Sequence, residues 1–269
     1  MGTSHAASSP NTVKWPAVTG SLRNTQRSAT TVLNATLMAT LPLLPPGYAT
    51  IPAVYSAYQC LAFASSVQKE GLESTVKKGA IQLSANFVVP SISNGLWNIV
   101  SSKLETELLN TPFGKLAEVA FKKTINTILT SGLSAQEEVP TRLGPEENLR
   151  QFNEKFGQDG FLNIYFTKYL YEITEYYLHS KGKKGQDNAG LLYYQPSDHK
   201  VFSPDEIDIF RKNLRLECKQ KSISLVRRIR ELGLVDRLQR DSATTPRIAR
   251  QIADELDEIL KNLAKEAFE

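Results

Sequence analysis

No Asp or Glu occurs before Glu70, and from Ser28 to Gln68 the chain carries no charged residue at all. That run, SATTVLNATLMATLPLLPPGYATIPAVYSAYQCLAFASSVQ, is rich in Leu, Val, Ala and aromatic residues, whose surface is unfavourable in water. It must therefore be covered by a protein core, a partner or a bilayer. Pro42, Pro45, Pro46 and Gly47 divide it. A first helix is predicted from about Thr25 to Leu41 and a second from Pro52, a suitable first helical position, to about Gln68. The first apolar segment falls short of the roughly 20 residues a bilayer needs, and the second carries Tyr55, Tyr58, Gln59 and several Ser. A buried helical hairpin is the better reading, and membrane insertion of 28–68 is the alternative.

Downstream, apolar residues recur at helical spacing. A third helix is predicted over 70–89, weakened by Gly79, and a fourth from Pro90 to Asn110 with Ile92, Leu96, Ile99, Val100, Leu104 and Leu108 on one face. Thr111-Pro112 opens a fifth, whose face is Leu116, Val119, Ala120, Ile125 and Ile128. From Ser131 to Glu147 the composition turns to Gly, Pro and acidic residues, which predicts a linker. Pro145 starts a short helix to about Phe156. Asp159 caps a long one carrying Phe161, Tyr165, Phe166, Tyr169, Ile173, Tyr176 and Tyr177. Such dense aromatics can stack bases, but they more often form the core seam of a bundle. Residues 181–203 read as a loop, and its Lys-Gly run does not satisfy the phosphate-loop pattern.

Ser203-Pro204-Asp205-Glu206 is a capping box that opens another long helix, ended by Gly233. Between 211 and 240 ten basic residues face only Glu217, Glu231 and Asp236. Arg215, Lys219, Arg227, Arg228 and Arg230 are the candidate contacts for phosphates or for an acidic partner. Thr245-Pro246 begins a last helix with an apolar stripe of Ile248, Ile252, Leu256, Ile259, Leu260 and Leu263, with Asp254, Glu255, Asp257 and Glu258 largely off it.

The expected architecture is therefore all-α: a flexible N-terminal arm (1–27), an apolar helical bundle (28–130), a linker (131–147) and a second helical region with a basic helix (148–269). A composition 41 % hydrophobic and 22 % charged is that of a globular chain, and a net charge of +4 is too mild to define a partner. Two cysteines, Cys60 and Cys218, each in an apolar helical setting, argue against a disulfide framework and for a reducing compartment. No secretory leader pattern follows Met1, so a cytoplasmic location is expected.

His5, His179 and His199 lack metal-ligand spacing, and no nucleophile-elbow, paired-cysteine or dinucleotide fingerprint occurs. The pairs Asp205 with Asp208 and Asp254 with Asp257 read as helix-surface carboxylates. A non-enzymatic protein without metal or cofactor is expected.

The opening MGTSHAASSPNTVKWPAV, then SLRNTQRSATTVL and the LPLLPPGY turn, resembles the N-terminus of QatB-type proteins over roughly the first 60 residues. These are the components without an assigned enzymatic domain in the bacterial Qat anti-phage system. The resemblance implies as partners an ATPase (QatA-type), a QueC-like enzyme (QatC-type) and a TatD-like nuclease (QatD-type). It implies that Gly2, with Thr3 and Ser4 as the recognised start, accepts a deazaguanine-type base from the QueC-like enzyme. The chemistry is sound: an α-amine has a pKa of about 7.7–8.0 against about 10.4 for Lys, so more of it is neutral and nucleophilic at pH 7. The glycine adds no hindrance, and an acid-free arm avoids repelling an anionic, ATP-bearing site. The alternatives are a membrane-acting effector that inserts 28–68 and a helical nucleic-acid binder that uses 211–240.

Overall fold

The computed structural model describes residues 50–78, 89–102, 106–179 and 204–233, together with the single positions Asp236, Asp254 and Glu258. The arm 1–27, the first helix of the hairpin, the loop 181–203 and the body of the last helix lie outside the described residues, so those expectations stand as they were.

Every regular element among the described residues is helical. They are α1 (Thr50–Glu70), α2 (Leu72–Lys78), α3 (Val89–Ser101), α4 (Thr106–Leu109), α5 (Pro112–Ser131), α6 (Pro145–His179) and α7 (Pro204–Glu231), with one 3-10 turn at Gly132–Ser134. The all-α expectation holds. α1 begins two residues before the expected Pro52 and ends two after Gln68. It spends its uncharged surface on the core: Ala53, Val54, Ala57, Cys60, Leu61, Phe63, Ala64 and Val67 are all buried.

The predicted third helix is broken at its start. Gly71, at φ +83°, ends α1 by donating its N–H to Val67 O at 2.9 Å, and α2 follows at Leu72. The predicted fourth helix is two pieces, α3 and α4. α3 buries Ile92, Leu96 and Val100 as expected, and adds Trp97, whose ring meets Phe121 of α5 at 5.6 Å.

α5 starts where Thr111-Pro112 predicts. Thr111 Oγ1 accepts the Gly114 N–H at 3.1 Å while Pro112, which has no N–H to leave orphaned, takes the first helical position. Its inward face differs from the predicted one. Phe113, Ala117, Ala120, Phe121, Ile125, Ile128 and Leu129 are buried, whereas Leu116 and Val119 are only half-buried. Two phenylalanines outweigh the aliphatic pair in deciding which side turns inward.

The segment 131–147, expected as a linker, is a packed connection. Ser131, Gly132, Ala135 and Asn148 are buried in it. Asn148 holds its two ends together: Nδ2 donates to Leu129 O at 2.8 Å and lies 3.2 Å from Thr130 O, while Oδ1 accepts from Thr141 Oγ1 at 2.6 Å. Gly132 sits at φ +50°, and a Cβ there would lie 2.5 Å from Asn148 Oδ1, so this turn demands glycine twice over. As a result α5 and α6 lie against each other along their length, and residues from Ala53 to Ile229 share one apolar core.

α6 is the central element and contacts α1, α5 and α7. It is interrupted at Gly157 (φ 58°, ψ −155°), close to the predicted boundary between Phe156 and Asp159. Beyond the break the chain passes so close to itself that a Cβ on Gly160 would lie 2.3 Å from Phe156 Cβ. Around the break the Phe152 ring meets Phe156 in a tilted contact and Phe161 edge-to-face, each with centroids 5.0 Å apart. Phe161, Tyr165, Phe166, Tyr169 and Ile173 are buried, so the aromatic run is the core seam.

Candidate functional site

α7 carries the basic residues that sequence singles out. Proline at its first turn and Gly233 at φ +65°, donating to Arg230 O at 2.9 Å, bound it at both ends. Leu214, Cys218, Ser222, Leu225, Val226 and Ile229 form its buried side against α6, and Ser222 Oγ donates to Asn163 O at 2.9 Å. The cations are thereby left on the remaining circumference.

The five candidates do not converge. Arg215 is exposed, with its guanidinium 4.9 Å from the Tyr171 ring centroid, a cation–π contact that fixes it against α6. Arg230 reaches Asp159 at 2.6 Å and Arg228 reaches Glu231 at 3.7 Å, so both carry a carboxylate with them. At about 100° per residue Arg228 lies on the opposite side of the helix from Lys219. Lys219 and Arg227 form no ion pair with a described residue, and Lys212 shares their outer face. The helix therefore offers a narrow line of cations, and its edges are already neutralised.

Sequence reasoning missed the side chains that fix α7. Arg211 Nε donates to Glu175 Oε1 at 2.9 Å, and Tyr171 Oη donates to the same oxygen at 2.6 Å. Burial and the adjacent carboxylate push the Tyr171 phenol up, so it remains a donor. Lys168 pairs with Glu138 and Lys123 with Glu172, tying the 132–139 turn and α5 to the same stretch of α6. Burial opposes ionisation of Glu138, yet Lys168, with Arg215 and Lys123 behind it, holds its carboxyl below the ordinary value. A Tyr-x-x-x-Glu spacing on α6 was the available signal, but nothing in it names an arginine 36 residues away.

The other reactive types are sealed. Cys60 and Cys218 are fully buried free thiols, and burial pushes both up, away from thiolate. Tyr165 Oη is sealed in the core beside Ser56, Cys60 and Tyr169, and burial raises its phenol well above the ordinary value. Gly2, Thr3 and Ser4 lie outside the described residues. No group of three or more metal-ligating side chains occurs among the described residues.

The chain matches no protein-family model, no curated protein and no solved structure.

Proposed function

We propose that this chain is a non-enzymatic helical component of a bacterial anti-phage assembly of the Qat type, acting in the cytoplasm. Removal of Met1 frees the Gly2 amine, which attacks a deazaguanine-type carboxylate that the QueC-like partner has activated with ATP, forming an amide as the nucleotide leaves; the ATPase and TatD-like nuclease are its other companions. The observation that carries this reading is the Met1-Gly2-Thr3-Ser4 start, leading into a polar, acid-free arm over 1–27. The bundle supports it as a scaffold. Glu138, Asp159, Glu172 and Glu175 are each committed to a structural cation, and both thiols are shut inside the core.

Co-expression with the QueC-like enzyme followed by mass analysis of the N-terminal peptide tests the proposal. A mass increase confined to the peptide that begins at Gly2 is expected. An unmodified glycine under conditions where the enzyme is active overturns it.

The nucleic-acid reading rests on Arg215, Lys219, Arg227, Arg228 and Arg230, of which Arg228 and Arg230 are held in ion pairs, and it requires an affinity that falls steeply with salt. The membrane reading has to remove α1 from the core that Ala53, Ala57, Cys60, Leu61 and Ala64 build. Among the described residues no helix is long and apolar enough to cross a membrane.

A further inference from the structure

Ile209, Leu216 and Ile223 of α7 are 50 %, 52 % and 42 % exposed, although the same helix buries Leu214, Cys218, Leu225 and Ile229 on its other side. The three recur every seven residues and so stand in one column of about 21 Å at roughly 1.5 Å rise per residue. Three large aliphatic side chains in line are an unfavourable surface in water. Lys212 and Lys219 run along one flank of the column, about 40–60° round the helix, and Arg227 continues it beyond Ile223. These three cations stand outside the ion pairs that join Arg211 to Glu175, Arg228 to Glu231 and Arg230 to Asp159. Glu217, the only acid between Ile209 and Arg227, lies about 100° round from Leu216. The face is therefore apolar along its centre and positive beside it, with no acid of its own helix between its ends.

That pattern discriminates among occupants. A phosphate backbone would satisfy the cations and leave the column wet. A second copy of α7 would cover the column but bring its own cations with it. Packed antiparallel about Leu216, Lys212 of one chain falls beside Lys219 of the other, and packed parallel each lysine meets its twin. Like charges set side by side across an interface oppose association. A seven-residue apolar register is instead the pattern that a foreign helix reads with its own apolar seam, and the flanking cations select acids beside that seam.

We propose that the outer face of α7, from Ile209 to Arg227, is a docking surface for an acidic amphipathic helix of a partner protein. The partner helix lays apolar residues in seven-residue register over Ile209, Leu216 and Ile223, and sets Asp or Glu side chains against Lys212, Lys219 and Arg227. Burial of the column drives association, while the charges decide which helix is accepted. The face is presented ready-made because α7 is held from behind. Arg211 bonds to Glu175, Ser222 to Asn163 O and Arg230 to Asp159, all on α6, so little ordering is left to the moment of binding. This surface stands apart from conjugation at Gly2, since binding to it needs no modified N-terminus.

Fluorescence anisotropy with the full-length chain and a labelled synthetic peptide tests it. The peptide is about three heptads long, with Leu at the two seam positions of each heptad and Glu beside them. It is expected to bind at least about tenfold more tightly than the same peptide with Lys in place of Glu, and to weaken with salt. Leu216→Ser with Ile223→Ser is expected to abolish binding without changing the circular dichroism spectrum, because both side chains are exposed. Lys212→Glu with Lys219→Glu is expected to invert the preference, so that the Lys peptide binds and the Glu peptide does not, a gain that misfolding cannot produce. Equal affinity for the two peptides, binding of neither, or a preference that charge reversal leaves unchanged overturns the proposal. Tighter binding of a short DNA duplex than of the Glu peptide also overturns it, and assigns the face to phosphates. A dimer in sedimentation that Leu216→Ser dissolves overturns it as well, and assigns the column to a second copy.

Discussion

Replacing Asn148 by Ala should be among the most damaging single polar substitutions in the bundle. The side chain is fully buried, and its amide supplies the N–H that satisfies Leu129 O in the last turn of α5. Thr130 O retains a second donor, the Thr141 N–H at 3.0 Å, but no other described contact replaces the amide at Leu129 O. Thr141 Oγ1 simultaneously loses its acceptor at 2.6 Å. One buried orphaned carbonyl costs about 1–3 kcal/mol and the lost hydroxyl bond about 1 kcal/mol more, so the expected total is roughly 2–4 kcal/mol. For a chain of this size that lowers the melting temperature by roughly 4–16 °C. Thermal and urea unfolding followed by far-UV circular dichroism reads the loss, with the urea slope unchanged. Asn148→Asp should be no better, because it sets a carboxylate against two carbonyl oxygens. A loss below about 0.5 kcal/mol for Asn148→Ala would refute the claim that this amide closes the connection, since that is the scale of an ordinary surface change.

Two further outcomes follow from the same geometry. Gly160→Ala should destabilise by about 1–3 kcal/mol, because the new methyl meets Phe156 Cβ beside the Phe152 ring, and the chemical denaturation midpoint measures it. For Glu138, whose carboxyl is held low by Lys168, the pair contributes stability that is present above the ordinary carboxylate value and lost as pH falls through the depressed one. Glu138→Gln should therefore flatten the stability-against-pH curve on the acid side while leaving its slope above neutrality unchanged, and the contribution should be modest because the carboxylate is largely exposed.

How much of this was legible depends on the range of the signal. Thr111-Pro112, Pro145, Pro204 and Gly233 each act through their own backbone, and each marks an observed helix end. The core faces of α1 and of the second part of α6 were legible because apolar residues there recur without competition. On α5 two candidate faces overlap, and a list of aliphatic positions missed that Phe113, Ala117 and Phe121 carry more buried surface than Leu116 and Val119. The turn 131–147 looked like a linker because Gly, Pro and acids also compose a tight packed turn. What separates the two is one asparagine bonded to residues 18 and 19 positions earlier, and no local pattern shows that. The basic helix was found, but its division into compensated edges and an open line was not. The counter-charges on Asp159 and Glu175 come from another helix.

The central position of α6 has a consequence for how the molecule comes apart. Because this helix abuts α1, α5 and α7 at once, these four described helices share one packed unit around it. Backbone amides around Phe161 to Ile173 should exchange with solvent only when the whole assembly of helices opens, and their protection then reports its total free energy. Any companion that grips α7 tightens this keel as well, so its arrival would be felt at α1, across the molecule from where it landed.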